Sequence, residues 1–233
     1  MHLPPKTQWF LTEEQCENAV TNWENQKTNF GDIKELINPT HVFYFTEEDR
    51  AWIKEYNNGN KSFPVHAGVN AGPSKNSFVL MIGPNENKEY LAVELQPLKN
   101  ELTLVETPVF NTTISKDLEI NSFSTPGYNH PAITERAAVK DIESWKYDCL
   151  SWFYNEISCG RNIFNGFSVP FPDLYTEGDS NGEVIALFGL KFSFVFQKVL
   201  PVLIFVDEPN TVIMRPYSNT KDWSSPSPPF PLY

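Results

Sequence analysis

"VIALFGLKFSFVFQKVLPVLIFVDE", residues 184–208, is the most apolar stretch of the chain, and its reading decides between a membrane span and a folded sheet. A spanning helix needs about 20 mostly apolar residues. The stretch is long enough, but Lys191, Gln197, Lys198 and Pro201 all fall inside it. Each central Lys costs about 2.5–3.5 kcal/mol on insertion scales, which cancels several Phe or Leu residues. The period is also that of a strand. Phe192, Phe194 and Phe196 alternate with Lys191, Ser193, Val195 and Gln197, which predicts three rings on one strand face. Gln197, Lys198 and Pro201 predict a break, since a central strand does not accommodate proline. Residues 202–206 then read as a strand buried on both faces, "DEPN" (207–210) as a turn, and "TVIMR" (211–215) as a returning strand. The expectation is two or three antiparallel strands and no membrane span.

Such a sheet needs a cover. Ala138, Ile142, Trp145, Cys149 and Trp152 recur at intervals of four, three, four and three, the seam of one long helix, and Phe153 and Ile157 widen it. Pro131 stands near its predicted start and Gly160 just past its end. "GFSVPFPDLY" (166–175) is expected to be an irregular connection between helix and strands. The tail "SSPSPPFPLY" (224–233) reads as an extended strap on the protein's own surface, although its PxxP pattern also fits a ligand for an aromatic groove.

Towards the N-terminus, Thr12 with Gln15 three residues on predicts a capped helix, whose core stripe is Cys16, Ala19, Val20 and Trp23. "HVFYF" (41–45) predicts a strand running into a second helix capped by Thr46, with Trp52, Ile53 and Tyr56 inward. "SFVLMIG" (77–83), "KEYLAVEL" (88–95) and "LTLVE" (102–106) form an expected meander, with "DLEI" (117–120) as a further strand. Pro and Gly cluster at 122–131, which sets an expected boundary. The predicted fold class is α+β: two short N-terminal helices and an antiparallel meander in 1–124, then a long helix packed on antiparallel strands in 125–233, as two units or one continuous domain.

Composition narrows function by exclusion. A chain of 233 residues buries roughly 70–75% of its unfolded surface and needs no disulfide or metal to fold. Its 18 Lys+Arg against 29 Asp+Glu, a net charge of −11, leave no basic surplus for nucleic acid and disfavour anionic membranes. The same charge favours a basic protein partner. Three widely spaced cysteines suit a reducing compartment and form no zinc pattern, and no leader is visible before Thr12, so a cytoplasmic location is expected.

The tempting motifs are incomplete. "GVNAGPSKNS" (68–77) lacks the Gly-Lys-Ser/Thr ending of a phosphate loop and precedes a strand. "EGDSNG" (177–182) offers Glu177, Asp179 and Asn181 as weak calcium ligands, but the bidentate Glu expected at the twelfth position is Phe188. His66 and His130 are lone histidines, and Cys159 at a helix end is a poor nucleophile. No catalytic residue and no cofactor are therefore assigned. Trp145, Trp152 and Phe153 are either core or a ligand or partner surface. The leading expectation is a non-catalytic protein-binding module, of which an immunity- or antagonist-type binder of a basic partner is one version. The alternatives are a hydrolase-like enzyme without a sequence signature and a small-molecule binder with a pocket between the long helix and the Phe-rich strands.

Overall fold

The computed structural model describes residues 9–72, 75–99, 135–161, 163–174, 183–194, 196–207, 220–221 and 225–227. The fold is α+β, with helices packed on two antiparallel sheets. The described strands are β1 (Phe10–Thr12), β2 (His41–Phe45), β3 (Ser62–Ala71), β4 (Asn76–Ile82), β5 (Glu89–Glu94), β6 (Gln96–Pro97), β7 (Gly166–Pro170), β8 (Val184–Ser193), β9 (Lys198–Asp207), β10 (Thr220–Lys221) and β11 (Ser225–Ser227). The helices are α1 (Glu13–Gln26), α2 (Phe30–Leu36), α3 (Glu47–Asn57), α4 (Glu135–Ser158) and the single turn α5 (Phe171–Leu174). The first sheet runs β1-β5-β4-β3-β7-β11 and the second β10-β9-β8-β2-β6, so each draws strands from both 1–124 and 125–233. The expected boundary at 122–131, "LTLVE", "DLEI", "TVIMR" and His130 lie outside the described residues.

The stretch that opened the question is a hairpin. β8 and β9 pair over their whole length, from Val184↔Asp207 to Ser193↔Lys198. Two details differ from the sequence reading. Pro201 does not end a strand but lies inside β9, opposite Leu190. β10 pairs with β9 only at Phe205 and Val206, so among the described residues no strand pairs beside Pro201 on that edge, where the missing N–H is tolerated. The three rings also do not share one strand face. Only Phe192 is in β8, because the chain turns after Ser193 and carries Phe194 and Phe196 round the tip. Gln197 closes the turn with a positive φ of 52°, its side-chain amide donating to the Phe194 carbonyl at 2.6 Å.

The two sheets share one core. Phe43 and Phe188 from the second sheet meet Phe78 of the first at ring distances of 6.2 and 6.1 Å. Burial alternates along the strands as the pleat requires: Phe78, Leu80 and Ile82 enter this core, while Val79 and Met81 face outward under α1. Leu91, Val93 and Leu95 line one face as predicted.

α4 runs along the hairpin towards its tip. Ala138 and Ile142 pack on Val202 and Ile204, Trp145 stacks on Phe188 at 4.5 Å, and the Trp152 indole N–H donates to the Val199 carbonyl at 3.0 Å. Gly160, with φ 63°, follows its end. No helix among the described residues is long and apolar enough to cross a membrane.

Two further segments depart from expectation. Gly166–Pro170 is not irregular but strand β7, paired to β3 from Ser62↔Pro170 to His66↔Gly166. Gly166 lets the two backbones approach, since a Cβ there would stand 2.2 Å from the Val65 carbonyl oxygen. Of the proline-rich tail only Ser225–Ser227 lies among the described residues, and it adds strand β11 to β7.

Candidate functional site

Two places among the described residues stand out, one for its chemistry and one for its exposed apolar side chains. The first lies where α1 crosses the outer face of the first sheet. Thr12 caps α1 in a capping box with Gln15, and Cys16, Ala19 and Trp23 are its buried stripe. The helix comes close to the sheet at Gly68, where an added Cβ would lie 3.1 Å from that of Ala19. Beside this contact lies an open cavity of about 500 Å³ lined by Cys16, Glu17, Val20, Thr21, His66 and Tyr90.

Cys16, His66 and Tyr90 in this cavity rest in their neutral forms at neutral pH. Burial, then the charge of Glu17, pushes the Cys16 thiol up to about 11, so it stays protonated at neutral pH and is no nucleophile. Burial raises the Tyr90 phenol, reinforced by Cys16, Glu13 and Glu17. Burial lowers the pKa of His66, which keeps its imidazole uncharged. His66 and Glu17 line one cavity but form no hydrogen bond with each other.

His66 also makes stability pH-dependent. Its folded pKa lies below the ordinary 6.5, so in the window below 6.5 the unfolded chain binds the extra proton. Stability is therefore unaffected well above pH 6.5, falls as the pH drops through it, and levels off below the folded pKa. Urea midpoints at about pH 7.5 and about pH 5.5 are expected to differ less in His66→Gln than in the parent chain. An equal difference in both would refute the contribution. His41 is shifted the same way by burial and by Lys75, and remains in both proteins.

The second place is the β8–β9 tip. Phe192 is 45%, Phe194 58%, Phe196 36% and Val199 39% exposed, four large apolar side chains within eight residues of chain. Phe192 and Phe194 contact edge to face at 5.0 Å. Lys191 and Lys198 flank the turn.

Of the residues singled out from sequence, Trp145 and Phe153 are buried in the core, and their rings meet at 5.8 Å. Only Trp152 of that trio reaches the surface, beside the tip. Where α4 meets the Phe-rich strands, Trp145 stacks on Phe188 at 4.5 Å. Phe188 is a core residue, whereas Glu177, Asp179 and Asn181 lie outside the described residues. Gly68–Ser77 spans the end of β3 and the start of β4, joined as a hairpin from Ala71↔Asn76. Cys159 is exposed just beyond α4. Among the described residues no three His, Cys, Asp or Glu side chains group as metal ligands. Sequence reasoning had His66 but missed the residues that share its cavity, since Glu17 and Tyr90 come from distant elements and carry no shared motif.

Comparison with protein-family models, curated proteins and solved structures finds no match for this chain.

Proposed function

We propose that this protein is a non-catalytic protein-binding module that takes a basic partner, with an immunity- or antagonist-type neutraliser as one version. The observation that carries the reading is the aromatic tip: Phe192, Phe194, Phe196 and Val199 stay open to solvent at the end of a hairpin. Contiguous exposed rings of this kind mark association surfaces, because burying them on a partner is favourable. The sign of the partner follows from the net charge of −11, which attracts a basic protein and offers nucleic acid no basic surplus. A reducing, cytoplasmic setting belongs to the same reading and is supported by the free, buried Cys16 and Cys149.

The test is affinity capture from the native host with the parent chain and with Phe192→Ser/Phe194→Ser/Phe196→Ser. All three rings are partly exposed, so the variant is expected to fold with a modestly lowered urea midpoint, which is measured alongside. The expected result is a basic protein retained by the parent, lost by the variant, and weakened as salt rises. A partner retained equally by both chains would sink the role of the tip. An acidic partner, or one indifferent to salt, would sink the electrostatic part.

A further inference from the structure

The cavity beside α1 holds four polar side chains, Glu17, Thr21, His66 and Tyr90. None of them makes a side-chain hydrogen bond to another protein group among the described residues, and Glu17 makes no ion pair there. Glu13 and Glu24, on the same helix, are both paired, with Lys88 at 2.9 Å and Lys27 at 2.8 Å. Glu17 and Thr21 are exposed and His66 and Tyr90 half-buried, and together with the apolar Val20 and the protonated Cys16 they line one open surface that fits a molecule with a polar head and an apolar stem. We propose that this cavity binds an organic cation, an ammonium or guanidinium on an aliphatic stem, with Glu17 holding the charged head.

The sign follows from what each ligand class would meet. An anion is repelled by Glu17, the carboxylate of this helix that lines the cavity. A neutral ligand covers the Glu17 carboxylate without replacing the water it loses, which is unfavourable. A cation pairs with that carboxylate, and the Tyr90 ring adds the attraction of an aromatic face for positive charge. The uncharged His66 imidazole retains a lone pair to accept an N–H from the head. The raised Cys16 and Tyr90 groups point to the same negative surroundings, although burial is the larger cause in both. The cation has two sources, a free amine or a Lys or Arg side chain of a protein. The cavity lies on the first sheet and the aromatic tip on the second, so losing either leaves the other intact.

The test follows the His66 imidazole signals of the full chain by NMR during titration with three probes: agmatine, acetyl-Gly-Arg-Gly-amide, and the same peptide with citrulline for arginine. The two guanidinium probes are expected to shift His66 saturably and the citrulline peptide to leave it in place. Glu17→Gln is expected to weaken binding about tenfold or more. Glu14→Gln removes the same charge from the same helix outside the cavity, and is expected to change affinity by no more than about twofold. Response to the peptide but not to agmatine assigns a protein side chain, and the reverse assigns a small amine; both support the site. Equal binding of the citrulline peptide, equal weakening by Glu14→Gln, or no His66 response to any probe overturns it.

Discussion

Phe188→Ala is expected to lower the unfolding free energy by about 3–5 kcal/mol, a large share of the roughly 5–15 kcal/mol that holds a typical fold together. Phe188 is buried where five other rings converge. Its centroid lies 5.5 Å from Phe43, 6.1 Å from Phe78, 4.5 Å from Trp145, 5.9 Å from Phe164 and 6.1 Å from Phe167. These come from β2, β4, α4, the segment before β7, and β7 itself, so the side chain joins both sheets to the long helix. Rigid rings held by separate elements cannot collapse into the space left behind, which places the loss at the upper end for truncations of its kind. Phe188→Leu keeps most of the volume and is expected to cost distinctly less. Urea unfolding of the two variants checks this. Equal losses, or an alanine variant within about 1 kcal/mol of the parent, would show that the junction repacks.

The second large effect is expected at Trp23, which fastens α1 to the rest of the molecule. Its indole is buried, meets Phe78 edge to face at 5.0 Å, and donates its N–H to the Phe164 carbonyl at 2.7 Å. Nearby, Lys27 bonds the Ile163 carbonyl and the Asn165 side chain, so the end of α1 is held by one short segment. Trp23→Ala removes ring and hydrogen bond together and is expected to cost about 3–5 kcal/mol. Trp23→Phe keeps an aromatic ring but leaves the Phe164 carbonyl without its donor, for an expected cost of about 1–3 kcal/mol. Denaturant unfolding gives both magnitudes, and hydrogen exchange locates the effect, with α1 amides losing protection first. Uniform loss of protection across both sheets would mean that α1 is not a separable unit. Because α1 forms one wall of the cavity, its loosening is also expected to alter the His66 signals.

Much of the local structure could be read from the chain because it rests on short-range chemistry. Thr12 with Gln15, and Thr46 at the head of its acidic turn, close capping boxes within four residues. The stripes of α1 and α4, and the alternation Leu91, Val93, Leu95, follow from the helical and strand periods. Strands β3 and β7 gave weaker signals. "PVHAGV" and "GFSVP" contain proline and glycine, which argue against a strand unless the pairing of a particular edge is known.

The candidate sites divide in the same way. The aromatic tip was visible as composition, since Phe192, Phe194 and Phe196 alternate within five residues of chain. That they are exposed was not, because exposure depends on where β8 stops pairing and turns. Trp145 and Phe153 show the converse: their spacing fitted either a core or an interface, and only the sheet beneath them decided it. The cavity had no sequence signature at all.

Alone, the sequence determined where α1 and α3 start, which faces are apolar, and that the two arms of the apolar stretch, Val184–Ser193 and Lys198–Asp207, are strands, because each of these is set by neighbours a few positions apart. It did not reveal α2, a third N-terminal helix where two were expected. Tertiary structure decided strand order, the strand character of Gly166–Pro170, and the meeting of Glu17, His66 and Tyr90. Those depend on contacts between residues tens of positions apart, which exist only once the backbone hydrogen bonds of two sheets and the shape of a shared core have been satisfied together.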